Sequence, residues 1–426
     1  MAQIIIFEDD WEKLNPVSLT RCPCDIRLAG TSLYEASSRI ADKVFVFSKL
    51  LKKTADKTVS RRKGKPSSIA GDLILLNSRI VPDLAVIDSL PDKLPKNSIV
   101  TQPLEGGKGG SKKEDVILAA RCPASKLKKK GSRLEIIESL SRIKLRKIDA
   151  SKLNLQIMKY PWDILRFNRE LIKQNLEILS ASYSEYEPGV YVSKNIQIHP
   201  SAVLDPAAGP IILGDNVVVG PYAVLEGPLF VGDNSKVHPH TWLRKETMIS
   251  CWCKVGGEIE AAVFQPYSNK QHFGFIGHAF VGSWVNLGAG TTNSDLKNTY
   301  GTVKVRLGRE LFDTGMQFMG CIIGDFCKTA INTSILTGKI IGVSSHLYGT
   351  ITENVPSFTN YARDLGNLSE FYLDSAIETQ KRMYSRRNVK QTQEDIALLK
   401  EIYKVTVEER KAAGVPKQRL LFRGSV

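Results

Sequence analysis

The chain has 426 residues, of which 42% are hydrophobic and 24% charged, and its 59 Lys+Arg against 44 Asp+Glu give a formal net charge of +15. This composition is that of folded soluble domains; it excludes a disordered or collagen-like protein, and the length suffices for two or three domains. The apolar runs are shorter than the roughly 18 residues that a membrane span needs, and the acidic start at Glu8-Asp9-Asp10 is unlike a signal peptide. With seven cysteines and no such signal, we expect a cytoplasmic protein with reduced thiols and no membrane partner.

Two segments of the N-terminal third hold almost all of the positive excess. Residues 49–65 contain eight Lys or Arg and one acid, and residues 108–133 contain nine Lys or Arg and two acids. Such segments can tether nucleic acid, steer anionic small substrates or be solvated loops. Because no basic motif interleaved with aromatic residues occurs, we expect no nucleic-acid partner.

The first part of the chain, residues 1–185, has the pattern of an α/β domain. Short and largely continuous apolar runs predict strands that helices cover on both faces. These runs are Ile4–Phe7, Val44–Phe47, Leu73–Leu76 and Val116–Ala119. A glycine-rich loop is expected at 106–113, and helical spacing of apolar residues predicts a helix over about Trp162–Leu179.

The middle part, residues 195–355, carries a period of six residues. Every sixth position from Leu213 to Val255 is Leu, Val or Ile, eight times in succession. The same period resumes at Phe275, Val281, Leu287, Ile323, Ile335, Ile341 and Leu347. Thr329 is the one polar residue on it. This is the hexapeptide period of a parallel β-helix, in which each side of a three-sided coil points one aliphatic residue inward.

The last part, residues 368–426, is predicted to be helical. Ser369–Arg387 has an amphipathic pattern, and Thr392 with Asp395 forms a capping-box-like start of a second helix. Gly414 is a natural stop for that helix. We expect these helices to pack across the end of the β-helix, where they would protect its open edges.

Two interruptions of the period, between Val255 and Phe275 and after Leu287, predict loops, because a coil has no room for extra residues. The segment SNKQHFGFIGHAFVGSWVNLGAGTTNSDLKNTYG spans them. It resembles the acetyltransferase half of the bacterial bifunctional enzymes that make UDP-N-acetylglucosamine. With LTRCPCDIRLAG, YPWDILRFN and DTGMQFMGCIIGDFCKTAINT, the chain is similar to a divergent branch of that family. The branch joins a short nucleotidyltransferase-like domain to a left-handed β-helix.

This resemblance implies an acetyl transfer from acetyl-CoA to an amino sugar. The ammonium group must lose a proton before it can attack, and a neutral histidine suits that task. His272 matches the catalytic histidine of the family. Residues that would hold the amino-sugar phosphate or the phosphates of CoA are Asn286, Arg244, Lys270 and Lys297. Backbone groups that would contact the thioester, one of them as an oxyanion donor, belong to Ala289, Gly290 and Thr291.

Two positions depart from the family pattern. The bifunctional enzymes carry a tyrosine where this chain has Phe275 and a lysine where it has Glu260. A lost hydroxyl and a reversed charge would change how the acceptor is recognised.

The N-terminal domain lacks the glycine-rich triphosphate loop that nucleotidyltransferases carry after their first strand. The resemblance nevertheless implies attack of a sugar-1-phosphate on the α-phosphorus of a nucleoside triphosphate, most simply UTP, with Mg²⁺. The residues that we expect at nucleotide are Arg21, Arg27, Asn77 and Arg79, the last two after a strand at the carboxyl edge of the sheet. Asp9 or Asp10 could bind the metal. A folded but inactive domain with a surface acid cluster fits the same residues.

The sequence thus predicts a transferase of sugar-nucleotide biosynthesis that acts on glucosamine-1-phosphate and UTP, in the family's homotrimeric form. One alternative is a nucleotidyltransferase for another hexose-1-phosphate, such as a thymidylyltransferase, without acetyl transfer. Another is a β-helix assembly protein whose sites have decayed. The pairs Cys22/Cys24 and Cys251/Cys253 do not have the spacing of zinc modules, and a zinc site from His238 and His240, or from His272 and His278, is a lesser alternative.

Overall fold

The computed structural model describes residues 3–47, 69–103, 115–127, 129–130, 133–134 and 136–420. The basic segment 49–65, the expected loop at 106–113 and several residues of the segment 108–133 lie outside the described residues. The chain forms two compact units. The first comprises Met1–Leu14, Arg21–Ile26 and Thr31–Lys159, and the second comprises Asn15–Thr20, Arg27–Gly30 and Tyr160–Val426.

The first unit is an α/β domain around one mixed sheet. Its strands are β1 (Gln3–Phe7), β2 (Lys43–Phe47), β3 (Asp72–Asn77), β4 (Ser98–Pro103), β5 (Asp115–Pro123) and β8 (Arg146–Asp149), with a hairpin of β6 (Lys129–Lys130) and β7 (Arg133–Leu134). The sheet order is β2-β1-β3-β5-β4-β8, and β1 pairs in parallel with both β2 and β3. Its helices are α1 (Leu33–Ile40), α2 (Leu84–Lys93) and α3 (Ile136–Arg142). The four predicted strands are therefore confirmed.

The central strands of this sheet are buried on both faces. Ile4, Ile5 and Ile6 are all fully buried, which explains why β1 is a continuous apolar run and not an alternating one. Since β1 and β3 are neighbouring parallel strands, the residues that follow them meet at one edge of the sheet. Asp9 and Asn77 are such residues.

Helix α4 (Asp163–Ser180) forms as predicted, but it belongs to the second unit and not to the first, and a left-handed parallel β-helix follows it. Strands of the first face are Val190–Val192, Ile211–Leu213, Leu229–Val231, Thr247–Ile249, Val263–Phe264, Phe280–Val281, Ile322–Ile323 and Ile340–Ile341. Those of the second face are Gln197–Ile198, Val218–Val219, Lys236–Val237, Lys254–Val255, Asn269–Lys270, Lys328–Thr329, His346–Leu347 and Thr359–Ala362. Those of the third face are Val203–Asp205, Val224–Glu226, Trp242–Leu243, Glu258–Glu260, Phe275–Gly277, Thr292–Asn293, Ser334–Ile335 and Thr350–Ile351.

The interior of the β-helix is one aliphatic column, as the six-residue period predicts. All eight positions from Leu213 to Val255 are at most 2% exposed and belong to a single core cluster. Successive coils pair in parallel, so their backbone groups are satisfied by the next coil.

The expected loop between Val255 and Phe275 is wrong. Ile259 takes the next inward position after only four residues, and the inward positions that follow are Phe264, Lys270 and Ile276. The side from Ile276 to Val281 also has only five residues, so a count of six back from Val281 reaches Phe275, whereas Ile276 is the residue that points inward. The coil is continuous here, and His272 lies on one of its corners and not on an inserted loop.

The second expected interruption is confirmed, but it begins after Asn293 and not directly after Leu287, because Asn293 takes the next inward position and pairs with Ile335. After Thr292–Asn293 the chain leaves the coil and forms an antiparallel hairpin of Lys304–Leu307 and Glu310–Asp313. It returns at Ile322–Ile323, which pairs with Phe280–Val281.

The C-terminal helices are α5 (Leu373–Ser385), α6 (Gln393–Val405) and α7 (Val407–Ala412). The capping box at Thr392 is confirmed, and the last helix ends just before Gly414. The helices do not close the end of the β-helix as expected; they pack in one apolar cluster with corner residues Phe326, Val343 and Phe358. The end strand Thr359–Ala362 is instead covered by an antiparallel strand, Asn367–Glu370, where the sequence suggested helix. Within the described residues, no helix combines the length and the apolar character needed to cross a membrane.

Candidate active site

Two turns on successive coils form the centre of the candidate site. The turn His272–Gly274 and the turn Gly288–Thr291 lie at the same corner, between the second and third faces, and the Gly290 amide donates to the Phe273 carbonyl at 3.0 Å. Gly274 has φ +119°, and a Cβ there would collide with the Thr291 carbonyl oxygen. Only glycine permits this close approach. The structure therefore brings the predicted base and the predicted CoA-binding backbone together.

His272 presents an exposed imidazole beside this turn. The ring makes no hydrogen bond to any of the described residues, whereas its backbone carbonyl accepts from Lys270 Nζ at 2.6 Å. An imidazole without an internal partner can accept a proton from a bound substrate. Its position is thus compatible with the predicted role of general base.

One backbone donor of the second turn is open. The amides of Gly288, Gly290 and Thr291 donate to groups of the protein, whereas the Ala289 amide donates to no group of the described residues. Thr291 is buried, and its hydroxyl lies 2.6 Å from that of Thr329. Among the three predicted CoA-contacting residues, Ala289 is therefore the one with a free N–H that could bind a thioester oxygen.

The predicted cations do not form a phosphate site. Arg244 is paired with Glu258 at 3.3 Å and with Glu260, and its guanidinium lies over the Trp242 ring at 4.9 Å. Two carboxylates of the next coil neutralise Arg244, and its assignment to a phosphate stays a prediction. Glu260, one of the two departures from the family pattern, is one of these partners.

The two predicted lysines are also engaged elsewhere. Lys270 is 1% exposed and occupies an inward position of the prism, and its assignment to a phosphate stays a prediction that this position does not support. Lys297 donates to the Thr302 carbonyl at 3.1 Å, beside the inserted hairpin. Asn286 is exposed on the second face, between Asn269 and Lys328 in the ladder of coils.

A cationic group that the sequence did not reveal lies on that second face. The pKa of Lys254 is lowered by burial and by the charges of Arg387, Lys236 and Arg386. Arg387, at the end of the first C-terminal helix, donates to Asn269 Oδ1 at 2.7 Å. Nothing in the local sequence connects these residues, because they come from three coils and a helix. We call Lys236, Lys254, Arg386 and Arg387 the cationic strip.

A histidine–carboxylate pair occupies the corner between the third and first faces. His278 is buried in a left-handed corner conformation, φ +46°, which histidine adopts more readily than most residues. Its Nδ1 lies 2.8 Å from Asp295 Oδ2, and its ring stacks on Phe318. Sequence reasoning considered His278 only as a zinc ligand with His272. Its carboxylate partner follows the second turn, and the spacing in sequence does not reveal the contact.

In the first unit, the predicted residues at the carboxyl edge of the sheet lie in contact, and their polar groups are hydrogen-bonded to one another. Arg79 is 2% exposed and donates to both carboxylate oxygens of Asp9, at 2.7 Å each, and to the Met158 carbonyl. Asn77 also donates to Asp9, at 2.7 Å. In this arrangement Arg79 binds the carboxylate of Asp9, so neither side chain is free for a phosphate or for Mg²⁺, and both assignments stay predictions. Asp10 pairs with Lys13 at the surface.

The other two predicted nucleotide residues belong to different units. Arg21 falls in the first unit and Arg27 in the second. The backbone of Arg27 makes two hydrogen bonds with the Gln265 side chain, at 3.2 and 2.8 Å, so this segment is attached to a coil of the β-helix. The assignment of Arg21 and Arg27 to the nucleotide stays a prediction.

Comparison with known proteins assigns the two halves. Residues 4–183 match the family model of sugar nucleotidyl transferases. The chain is 34% identical over 170 residues to the uncharacterized acetyltransferase YaiX of Escherichia coli, which corresponds to 39% of this chain and 74% of YaiX. The chain belongs to the YaiX acetyltransferase family. Its relatives are transferases, and the chain is an enzyme of that class.

Bifunctional relatives match over a smaller share of their length. The bifunctional sugar-1-phosphate nucleotidylyltransferase/acetyltransferase of Sulfurisphaera tokodaii is 30% identical over 111 residues, 26% of this YaiX-family chain and 28% of that protein. The bifunctional protein GlmU of Prochlorococcus marinus is 26% identical over 185 residues, 42% and 36% of the two chains. A UDP-N-acetylglucosamine acyltransferase from Campylobacter jejuni aligns in structure over 52% of this chain and 100% of its own, with 15% identity and a TM-score of 0.26.

Proposed function

We propose that the β-helix transfers an acetyl group from acetyl-CoA to the amine of an amino-sugar phosphate, with glucosamine-1-phosphate as the first candidate. The N-terminal domain would then couple the sugar-1-phosphate to a nucleotide, with UTP as the first candidate and pyrophosphate as the leaving group. The observation that carries the acetyl transfer is the corner where the exposed His272 turn is bonded to the turn with the open Ala289 amide. We further propose a cytoplasmic homotrimer that assembles through the β-helix.

The proposed chemistry is an acyl transfer. His272 takes a proton from the ammonium group of the acceptor, and the free amine attacks the thioester carbonyl. The Ala289 amide donates to the oxyanion that develops on that carbonyl oxygen. Collapse of the tetrahedral intermediate forms the amide bond and expels the thiolate of CoA, which takes up a proton.

The phosphates of CoA would bind to the cationic strip, because Lys270 and Lys297 are engaged within the protein and Arg244 is paired with Glu258 and Glu260. Burial is the main cause of the lowered pKa of Lys254, and repulsion from Arg387, Lys236 and Arg386 adds to it. An anion would relieve this repulsion. For nucleotidyl transfer, the Asp9 carboxylate does not fit a Mg²⁺ site while it is bound to Arg79, so no step is assigned to the metal there.

The test is an assay of the purified chain with acetyl-CoA, glucosamine-1-phosphate, UTP and Mg²⁺ that resolves both products. UDP-N-acetylglucosamine would show that both halves act as proposed. N-Acetylglucosamine-1-phosphate alone would support the β-helix half and reject UTP as the nucleotide. Absence of any acetylated product would contradict the proposed acetyl transfer to this acceptor.

The buried Asp9–Arg79 pair favours a second candidate, in which only the β-helix is catalytic and the first unit is structural. This candidate predicts that neither UTP nor another nucleoside triphosphate raises the melting temperature of the protein, since a ligand stabilises only a state that it binds. Acetyl-CoA would still raise it.

Replacing Glu260 with glutamine should improve the use of a phosphorylated acceptor. Loss of one carboxylate leaves Arg244 with Glu258 alone, and a partly freed guanidinium attracts phosphate. Because the pair is partly exposed, we expect the KM for glucosamine-1-phosphate to fall by about two- to fivefold. Glu226→Gln is the matched control: Glu226 lies on the same face and accepts from Trp242 Nε1. If the KM changes equally in both variants, Arg244 does not mediate recognition of the acceptor.

A further inference from the structure

Lys270 occupies an inward position of the β-helix, where the neighbouring coils carry aliphatic side chains. On the second face the inward positions of successive coils are Val219, Val237, Val255, Lys270 and Leu287. Lys270 is 1% exposed, and burial lowers its pKa to about 8. An aliphatic residue at this position would avoid the cost of taking an ammonium group out of water. The buried ammonium group of Lys270 is therefore unfavourable for the stability of this coil.

The ammonium group of Lys270 is enclosed by two corner turns. It donates to the His272 carbonyl at 2.6 Å and to the Gly256 carbonyl at 3.1 Å. Gly257, with φ +74°, leaves the space for it, because a Cβ there would lie 2.9 Å from Nζ. Neither carbonyl accepts another hydrogen bond from the described residues. The lysine is thus the side chain that satisfies both turns from inside the prism.

The other hydrogen bonds that hold the His272 turn are made between backbone groups. The Phe273 carbonyl accepts from Gly290, and the Gly274 carbonyl accepts from Glu258 at 3.1 Å. These bonds begin one residue after His272. The backbone of His272 itself is held by Lys270, so loss of the ammonium group would release the turn at the residue that carries the imidazole.

We propose that Lys270 is a positioning residue, which holds the backbone of His272 from the interior of the β-helix and so keeps the imidazole in place beside the Gly288–Thr291 turn. This inference rests on the proposed function for its catalytic consequence. Lys270 does not touch substrate in this role. The hydrogen bond from Lys270 to the His272 carbonyl, which we call the tether, is a property of the fold, and its effect on the turn can be measured without any substrate.

The test compares Lys270→Met with the wild-type chain. Methionine can fill the interior space of the Lys270 side chain without a charge. Because no charge is then buried, the gain offsets the loss of two hydrogen bonds, and we expect a folded protein with a similar melting temperature. Acetyl transfer should lose about 10- to 100-fold in kcat, since a base displaced by about 1 Å loses most of its effect. The KM for acetyl-CoA should be unchanged. Hydrogen exchange measured by mass spectrometry should accelerate in the peptide that covers His272–Gly274.

Lys328→Met is the matched control. Lys328 is another lysine whose pKa burial lowers to about 8, and its Nζ donates to the Trp284 and Phe326 carbonyls at 2.9 Å each. These carbonyls lie at the corner between the first and second faces, away from His272. We expect kcat to stay within about twofold of wild type and exchange at His272–Gly274 to stay unchanged. A loss of activity equal to that of Lys270→Met would overturn the positioning role.

The outcomes separate this inference from the proposed function. If the wild-type chain acetylates no amino sugar, the proposed function fails. Hydrogen exchange alone then tests the tether, which is the hydrogen bond of Lys270 to the backbone of His272. Faster exchange at His272–Gly274 in Lys270→Met then supports it, and unchanged exchange overturns it. If the wild-type chain is active and Lys270→Met keeps its kcat, the positioning role is wrong while the acetyl transfer stands.

Discussion

Replacing His272 with alanine is expected to lower acetyl transfer by about 10²- to 10⁴-fold, the contribution of a positioned general base. The acceptor amine is protonated near neutral pH, and without a nearby base it cannot attack the thioester. The imidazole is exposed and makes no structural hydrogen bond with the described residues. The substitution should therefore leave the melting temperature and the oligomeric state unchanged. Steady-state rates with saturating acetyl-CoA measure the effect.

Two other histidines provide the controls. His240 is exposed at the same corner, two coils earlier, and stacks on Tyr222; His240→Ala should retain wild-type rates. His278 is oriented by Asp295, as a base in a catalytic pair is. If His278→Ala abolishes transfer while His272→Ala does not, the His278–Asp295 pair is the base and His272 leaves the mechanism.

Replacing Arg79 with methionine is expected to destabilise the first unit by about 3–5 kcal/mol, the usual cost of removing one partner from a buried ion pair. Arg79 makes two 2.7 Å bonds to Asp9, and its side chain is 3% exposed. Without it, the Asp9 carboxylate keeps one amide donor, from Asn77, and no counter-charge among the described residues. Urea unfolding, together with hydrogen exchange in Asp72–Asn77, measures the loss in this unit.

The double variant Arg79→Met/Asp9→Asn tests the origin of that loss. With neither charge present, most of the stability should return, because a neutral pair carries no unbalanced desolvation cost. Arg39→Met is the surface control: its ion pair with Asp88 is one-third exposed on each side, and we expect a loss below about 1 kcal/mol. If the double variant is as unstable as the single one, packing of the arginine stem accounts for the effect and the ion pair does not.

The fold was predictable to the extent that each element follows a local rule. A coil of the β-helix points one residue inward per side, so the eight aliphatic positions from Leu213 to Val255 reveal the architecture without any knowledge of pairing. The continuous apolar run of β1 and the capping box at Thr392 are local in the same sense. For the candidate site, the resemblance supplied residues such as His272 and Ala289, and their roles stay predictions.

The period did not reveal where a side of the coil shortens. Ile259 follows Val255 after four residues, and from that point a count of six assigns the wrong residues to the interior. The period therefore does not predict Lys270 in the interior, and a charged residue inside an aliphatic column contradicts the average behaviour of lysine. Only the stacking of Val255 on Lys270 shows its true position.

By itself, the sequence determined the α/β domain, the β-helix with an interruption in the region after Leu287, and the C-terminal helices, because propensity and periodicity act over a few neighbouring residues. Tertiary structure alone decided which charges are free. Asp9 with Arg79, Arg244 with Glu260, and His278 with Asp295 pair across 70, 16 and 17 residues. The electrostatics of a site depends on such distances in space, and they are set by the order of strands in the sheet and by the stacking of coils.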